Sequence, residues 1–307
     1  MSPSAAEAFE SQRSRLFAVA YRMLGSASEA EDVVQDAWLR YSAASRDEVR
    51  SHEAFLTTIV TRLCLDRLKS ARATREHYVG TWLPEPMLAS ATPEAGPEHS
   101  AVLNESVTLA FMLLLETLSP EERATFLLRE IFEYDYEEIA AMLDTTPANC
   151  RQLFHRARVR VQERRPRVHF ADEEARQKRE LVERFVAAFR DGDADQLTSL
   201  LTEDVGLWSD GGGKVAAARR PVVGRADVIN LLVGIRRSAR SYGIELSAVT
   251  LDVVDVNAEP AVAVRIEGRL DSIYTCSFDG GRITALRIVR NPDKLQFIGR
   301  QLDHQTH

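Results

Sequence analysis

Apolar residues recur at three- and four-residue steps through the first part of the chain. Phe9, Leu16, Val19, Ala20 and Met23 form one set, Val33, Val34, Ala37, Trp38 and Tyr41 a second, and Phe55, Ile59, Leu63 and Leu68 a third. This is the period of amphipathic helices, so residues 6–75 are expected to form an all-helical bundle. Gly25 breaks the first helix. Ser28 is the expected N-cap of the second, with Glu31 completing a capping box, and Ser51 opens the third. The period lapses over residues 76–101, where Pro84, Pro86, Pro93, Pro97, Gly80 and Gly96 fall, and the stretch reads as a linker. It is not a bare one. Trp82, Leu83, Met87 and Leu88 would stand in water unless the segment docks on a domain surface.

Helical periodicity resumes at about Val102 and runs through a second all-helical unit, residues 102–167. Ser119-Pro120-Glu121-Glu122 marks a restart, with a cap, proline at the first helical position and acids in the first turn. Asp135 and Thr146-Pro147 mark two more. Residues 172–302 change texture. Two helices, about 172–190 and 194–201, precede β-rich runs at 205–209, 244–249, 251–256, 261–266, 272–278 and 283–289, with Asp279-Gly280-Gly281 as a hairpin turn. The expected fold class is therefore multidomain: two all-α domains followed by an α+β domain with an antiparallel meander.

Composition excludes several classes. With 45% apolar and 28% charged residues, the 307-residue chain lies outside the disordered regime. No apolar run approaches the ~18 residues of a membrane span, and the N-terminus lacks the apolar core of a signal peptide. Three scattered cysteines (Cys64, Cys150, Cys276) and seven histidines give no disulfide or metal-site spacing. A cytoplasmic protein without metal, cofactor or membrane partner is expected. The formal charge of −7 argues against a wholesale nucleic-acid binder. Two basic stretches are embedded in it: Arg62, Arg67, Lys69, Arg72 and Arg75 against Asp66, and seven arginines from Arg151 to Arg167 against Glu163. One such stretch is as readily a solvated helix face. Two, each ending a helical unit, favour phosphate contact.

Residues 136–158 read helix, short turn, helix. In the second helix Cys150, Leu153, Phe154, Ala157 and Val161 fall on one core face. Ala148, Asn149, Arg151, Gln152, His155, Arg156 and Arg158 then point outward. Amide and guanidinium groups at the start of a helix can read base edges in a major groove while arginines neutralise phosphates. An ordinary helical hairpin with a charged face is the plainer alternative.

Three segments carry a family resemblance. Glu31-Asp32-Val33-Val34-Gln35-Asp36-Ala37-Trp38 resembles the second helix of the sigma-two domain of extracytoplasmic-function (ECF) sigma factors. Residues 52–76 resemble the following, promoter-opening helix, and residues 119–165 resemble the sigma-four domain. Three further motifs are similar to those of an ECF subgroup with a fused SnoaL-like domain of the NTF2-like superfamily, a curved sheet wrapped around helices. These are Trp82-Leu83-Pro84-Glu85-Pro86 in the linker, and the loops Asp210-Gly211-Gly212-Gly213-Lys214 and Asn291-Pro292-Asp293-Lys294-Leu295.

The resemblance implies a transcription initiation factor and assigns partners. Glu31, Asp32, Gln35, Asp36 and Arg40 would meet the clamp helices of core RNA polymerase, whose flap would receive the sigma-four domain. Arg62, Asp66, Arg67, Lys69 and Arg72 would meet the −10 element, and residues 42–51 would take a flipped −10 base. The outward face of the helix after Thr146 would read the −35 element. The linker and the two loops would form an intramolecular regulatory contact in place of a separate anti-sigma protein. Two rival classes stay open: a one-component ligand-sensing DNA-binding regulator, and a polyketide-cyclase-like enzyme using Asp210 or His304. The Gly-Gly-Gly-Lys run lacks the spacing of a phosphate-binding P-loop.

Overall fold

The computed structural model describes residues 5–44, 51–75, 78–88, 107–164, 172–241 and 245–305. These form two compact units. The first takes the described residues of 1–77 and 90–166, the second those of 78–89 and 167–307. The predicted helix start near Val102, and most of the 42–51 loop, lie outside the described residues.

In the first unit α1 (Ala5–Leu24), α2 (Ala27–Ala43) and α3 (His52–Arg75) pack with Leu16, Val19, Val33 and Ala37 buried as expected; on α3 the predicted Leu63 and Leu68 are buried, but Phe55 and Ile59 are half-buried and Leu56 and Val60 take the core positions beside them. The cap of α2 is Ser26 rather than Ser28. Gly25 ends α1 at a φ of 69°, and the next side chain is then placed to accept from the Glu29 amide at 3.1 Å. Ser42 and Ala43 belong to α2 and not to a loop.

The second group of helices is α4 (Leu109–Leu115), α5 (Pro120–Phe126), α6 (Tyr136–Leu143) and α7 (Pro147–Arg164), with a π-turn at Leu127–Ile131 that periodicity did not predict. Ser119 and Asp135 each form a capping box, with Glu122 and Glu138 respectively. Asp144 turns left-handed at a φ of 52° to end α6, and the Thr146 hydroxyl accepts from the Asn149 amide to start α7.

In the second unit the sheet is mixed, not antiparallel. Its order is β2-β1-β6-β5-β4-β3, and β1 (Leu201–Asp210) pairs parallel with β6 (Arg282–Val289). Strand β2 is Val222–Val223, β3 is Val249–Val256, β4 is Glu259–Ile266 and β5 is Arg269–Asp279. The predicted run at 244–249 is instead a 3-10 turn at Leu246–Ala248 leading into β3.

Among the described residues four helices, not two, accompany the sheet: α8 (Asp172–Asp191), α9 (Ala194–Leu200), α10 (Arg225–Ser241) and α11 (Pro292–Gln305). The first three cover one face, where Val182, Phe185, Leu200 and Leu232 meet Val262, Val264, Tyr274 and Leu286. Alternate strand positions Ala261, Ala263 and Ile273 are buried on the other face. Helix α11 lies there, with Gly299 beside Leu270 and Asp303 paired to Arg265 at 3.5 Å.

Glu259, on β4, sits 3.6 Å from Lys178 of α8 with its side chain 12% exposed. Burial pushes its carboxyl above the ordinary value, and Lys178 and Arg287 offset this only in part. A raised carboxyl holds its proton more tightly in the folded chain. It therefore favours folding below about pH 4.5 and loses that contribution as pH rises. Glu259→Gln is expected to melt with a weaker pH dependence. Its melting temperature relative to wild type should climb between pH 4.5 and neutrality in a thermal denaturation series.

Candidate functional site

Helices α6 and α7 form the helix-turn-helix expected from the spacing. Cys150, Leu153, Ala157 and Val161 are buried, while Ala148, Asn149, Arg151, Gln152, His155, Arg156 and Arg158 are all exposed. Two of the seven are held for presentation. The Asn149 amide donates to Thr145 Oγ1 at 2.9 Å, and Arg151 bonds Glu137 at 3.3 Å with its guanidinium 5.3 Å from the Tyr136 ring centre. Arg156 is committed inward: its Nε donates to Glu122 at 3.1 Å, and Arg160 donates to the other oxygen of the same carboxylate. The Glu122 side chain is only 5% exposed, so these arginines neutralise a charge buried by the capping box. Arg160 was not among the sequence candidates. It follows Arg156 by one helical turn, which is the signal that could have paired them.

On α3, Arg62 is exposed, and its guanidinium reaches the end of α6. Its Nε donates to the Met142 carbonyl at 2.9 Å and its Nη2 to the Ala141 carbonyl at 3.1 Å. Arg67 donates to the Glu29 carbonyl at 3.1 Å and to Asp36 at 3.0 Å, with Asp32 at 3.8 Å. Lys69 lies 3.6 Å from Glu121, and Asp66 is exposed. Arg72 is on α3 with its side chain outside the described residues. The resemblance gave these residues as −10 contacts and could not show that Arg62 and Arg67 are engaged by protein.

On α2, Glu31, Asp32, Gln35 and Arg40 are exposed and Asp36 is half-buried by its bond to Arg67. Leu39 stands among them, 60% exposed. Sequence reading passed over it because a single outward leucine is unremarkable on its own.

The second unit holds the other cluster. Residues 78–88 run across it as a strap, and Leu83, Pro84, Glu85, Pro86, Met87 and Leu88 are buried. Asp210, at the end of β1 and fully buried, is the node. One carboxylate oxygen accepts from the Tyr78 hydroxyl at 2.5 Å and the Gly212 amide at 3.0 Å. The other accepts from the Leu83 amide at 2.9 Å and Lys294 Nζ at 2.7 Å. Lys294 also donates to the Leu83 carbonyl at 2.5 Å, and its ammonium lies 4.3 Å from the Trp82 ring centre and 5.0 Å from that of Tyr78. Burial first, then Asp210, pushes the Tyr78 hydroxyl far above its ordinary range, so it stays a donor.

Further along, the Met87 amide donates to Asn257 Oδ1 at 3.2 Å, the Asn257 amide donates to the Met87 carbonyl at 2.8 Å, and the Leu88 amide reaches Gln301 at 3.0 Å. Tyr78, Asn257 and Gln301 were not sequence candidates, and no local pattern marks them.

The glycine loop answers to this packing. A Cβ on Gly212 would lie 2.3 Å from the Asn291 amide nitrogen, and one on Gly211 would lie 2.5 Å from the Val215 carbonyl. Gly213 faces Val79. Asn291-Pro292-Asp293-Lys294-Leu295, expected as a loop, is instead the cap and first turn of α11. The Asn291 side chain accepts from the Asp293 amide at 3.1 Å, and Pro292 starts the helix. Lys214 pairs with Asp293 at 2.5 Å on the surface.

For chemistry, Asp210 is an acceptor with four donors on it, an arrangement for joining chain segments. His304 is exposed on α11. Among the described residues no group of three or more metal-ligating side chains gathers, and no helix is long and apolar enough to cross a membrane.

Comparison with known proteins matches both parts of the first unit. Residues 8–74 match the family model for sigma-70 region 2, and residues 108–161 match the model for sigma-70 region 4. Over 296 residues the chain is 36% identical to the ECF RNA polymerase sigma factor SigJ of Mycobacterium tuberculosis, covering 93% of this chain and 91% of that protein. It is 30% identical to the probable ECF RNA polymerase sigma factor SigI of the same species, covering 96% of each. The crystal structure of M. tuberculosis SigJ superposes with a TM-score of 0.71 at 33% identity, covering 94% of this chain and 97% of that one.

Proposed function

The chain belongs to the ECF RNA polymerase sigma factors of the sigma-70 family, and from that premise we propose which residues perform each step of promoter selection. The acidic outer face of α2 (Glu31, Asp32, Gln35, Asp36, with Arg40 and the exposed Leu39) meets the clamp helices of core polymerase in the cytoplasm. Leu39 supplies an apolar anchor within a charged rim. Helix α3 takes the −10 element through Arg62, Asp66, Arg67, Lys69 and Arg72. Helix α7 reads the −35 element through Asn149, Arg151, Gln152, His155 and Arg158. Arg156 supports that helix through Glu122. The polymerase flap receives the unit that carries α7.

The observation that carries this reading is the outward face of α7, where an amide-and-arginine turn is held above a buried face of Cys150, Leu153, Ala157 and Val161. Arg151→Ala and Gln152→Ala are each expected to cost about 1–3 kcal/mol in binding of the holoenzyme to a promoter with its −35 element, and much less on one with that element scrambled. Competition binding at fixed salt checks this. Equal loss on both promoters would make these residues phosphate contacts only.

The second unit is proposed to regulate the first through the strap. Residues 78–88 lie between the two helical groups in sequence, and the second unit grips them through Asp210, Lys294, Asn257 and Gln301. A regulator fused to the chain acts at the high effective concentration set by its tether, so it needs no separate inhibitory protein. A ligand-sensing regulator of the one-component kind would instead bind duplex DNA without polymerase. Gel-shift with and without core polymerase separates the two.

A further inference from the structure

The first unit contains a clasp between its two helical groups, and its central residue is one assigned above to promoter DNA. Arg62 donates to the carbonyls of Met142 and Ala141, in the last turn of α6. Such carbonyls have no partner within their own helix, and they carry the negative end of its dipole. An arginine fork is a fitting cap for them. Nearby, the buried Thr57 and Tyr134 hydroxyls lie 3.0 Å apart, and the Tyr134 hydroxyl also bonds Glu53 at 3.2 Å. Arg123 Nη1 donates to the Met23 carbonyl at 2.7 Å, joining α5 to the end of α1.

This arrangement is incompatible with reading both promoter elements at once. The −10 and −35 elements lie about 25 base pairs apart, roughly 85 Å along B-form DNA. A compact unit of about 150 residues is only about 40 Å across. The clasp therefore has to open before α3 and α7 can both sit on their elements.

We propose that Arg62 is a shared contact that couples this opening to promoter binding: it caps the end of α6 in the closed chain and transfers to the DNA backbone in the open one. The exchange leaves no polar group unsatisfied. The guanidinium trades two carbonyls for a phosphate, and the carbonyls of α6, beside the exposed Ala141, take water. The closed population then appears directly as weaker apparent affinity for polymerase and promoter. This inference rests on the assignment of α3 to the −10 element.

The test uses the full chain with spin labels at Ala43→Cys and Val159→Cys, both exposed positions, while the three native cysteines are buried. The free protein is expected to give one short label-to-label distance, and the polymerase–promoter complex a much longer one. A short distance retained in that complex overturns the proposal, whatever the variants do. Tyr134→Phe and Thr57→Val each remove part of the clasp without touching a proposed DNA contact. Each is expected to populate the long distance in the free protein and to tighten core-polymerase binding about 3–10-fold. A folded variant, checked by thermal melting, with unchanged distance and affinity also overturns it. Arg62→Ala separates the two assignments. If both hold, the free chain opens and promoter affinity falls; if only the clasp holds, the chain opens and promoter affinity rises.

Discussion

Asp210→Ala is expected to release the strap from the second unit at a cost of about 3–5 kcal/mol, the range for removing one partner of a buried ion pair. The side chains of Asp210 and Lys294 are 0% and 9% exposed. Without the carboxylate, Lys294 loses its paired charge while its ammonium stays buried beside the Leu83 carbonyl and the Tyr78 and Trp82 rings. The Tyr78 hydroxyl and the Leu83 and Gly212 amides lose their acceptor together, so several penalties fall on one substitution. The amides of Leu83 and Met87 should exchange hydrogen much faster, while those of the central strands β5 and β6 keep their protection. Asp210→Asn keeps an acceptor for the amides and should release the strap less completely. Hydrogen exchange with urea denaturation checks both.

The second large effect follows from cutting the chain after residue 166. Such a fragment keeps the strap and loses its cover. Leu83, Met87 and Leu88 are 0%, 1% and 4% exposed in the intact chain. At about 1.5–3 kcal/mol for each large apolar side chain returned to water, the exposed strap forfeits roughly 5–9 kcal/mol. The truncated protein is expected to bind hydrophobic dye, and to sediment as oligomers. Replacing those three residues with serine in the same fragment should restore a monomer. A truncated protein that is monomeric with its own strap sequence would show that the strap finds other cover. Transcription by the truncated form therefore has to be compared with the serine-substituted form, or loss of solubility will pass for loss of activation.

Much of the helical part was legible because each element there carries its own punctuation. Ser119-Pro120 and Asp135 announce capping boxes, and Thr146-Pro147 announces α7. Ser26 was misread as Ser28 because two serines follow Gly25, and only the left-handed glycine decides which one meets the first free amides.

In the second unit, local signals compete. Helix α10 has a helical period at Val228, Leu231, Leu232 and Ile235, but the β-branched texture around it masks the repeat. The parallel pairing of β1 with β6 joins strands separated by most of the domain, and nothing near either strand encodes it. Asn291-Pro292 does carry a helix-start signal, and it was overlooked in favour of a loop. The docking of the strap was inferable from apolar residues that a bare linker would leave in water, whereas Asn257 and Gln301 enter only through tertiary placement. The same holds for Arg62: its type and position suit DNA, and only the packing of α3 beside α6 reveals its second use.

The acidic composition, which argued against a free DNA binder, fits a protein that reaches promoters through polymerase. Glu31 and Asp32 of α2 are exposed, whereas Asp36 of the same helix restrains Arg67 and Glu122 restrains Arg156 and Arg160.

The most direct measurement is promoter-specific run-off transcription with purified core polymerase, comparing the intact chain with Asp210→Ala after hydrogen exchange has confirmed that the strap is free. The expected result is a transcript from the same start site with both proteins, in clearly different amounts at equal concentration. Equal amounts with the strap released would contradict regulation by the second unit, and no polymerase-dependent transcript from either would contradict the assignment of the promoter contacts.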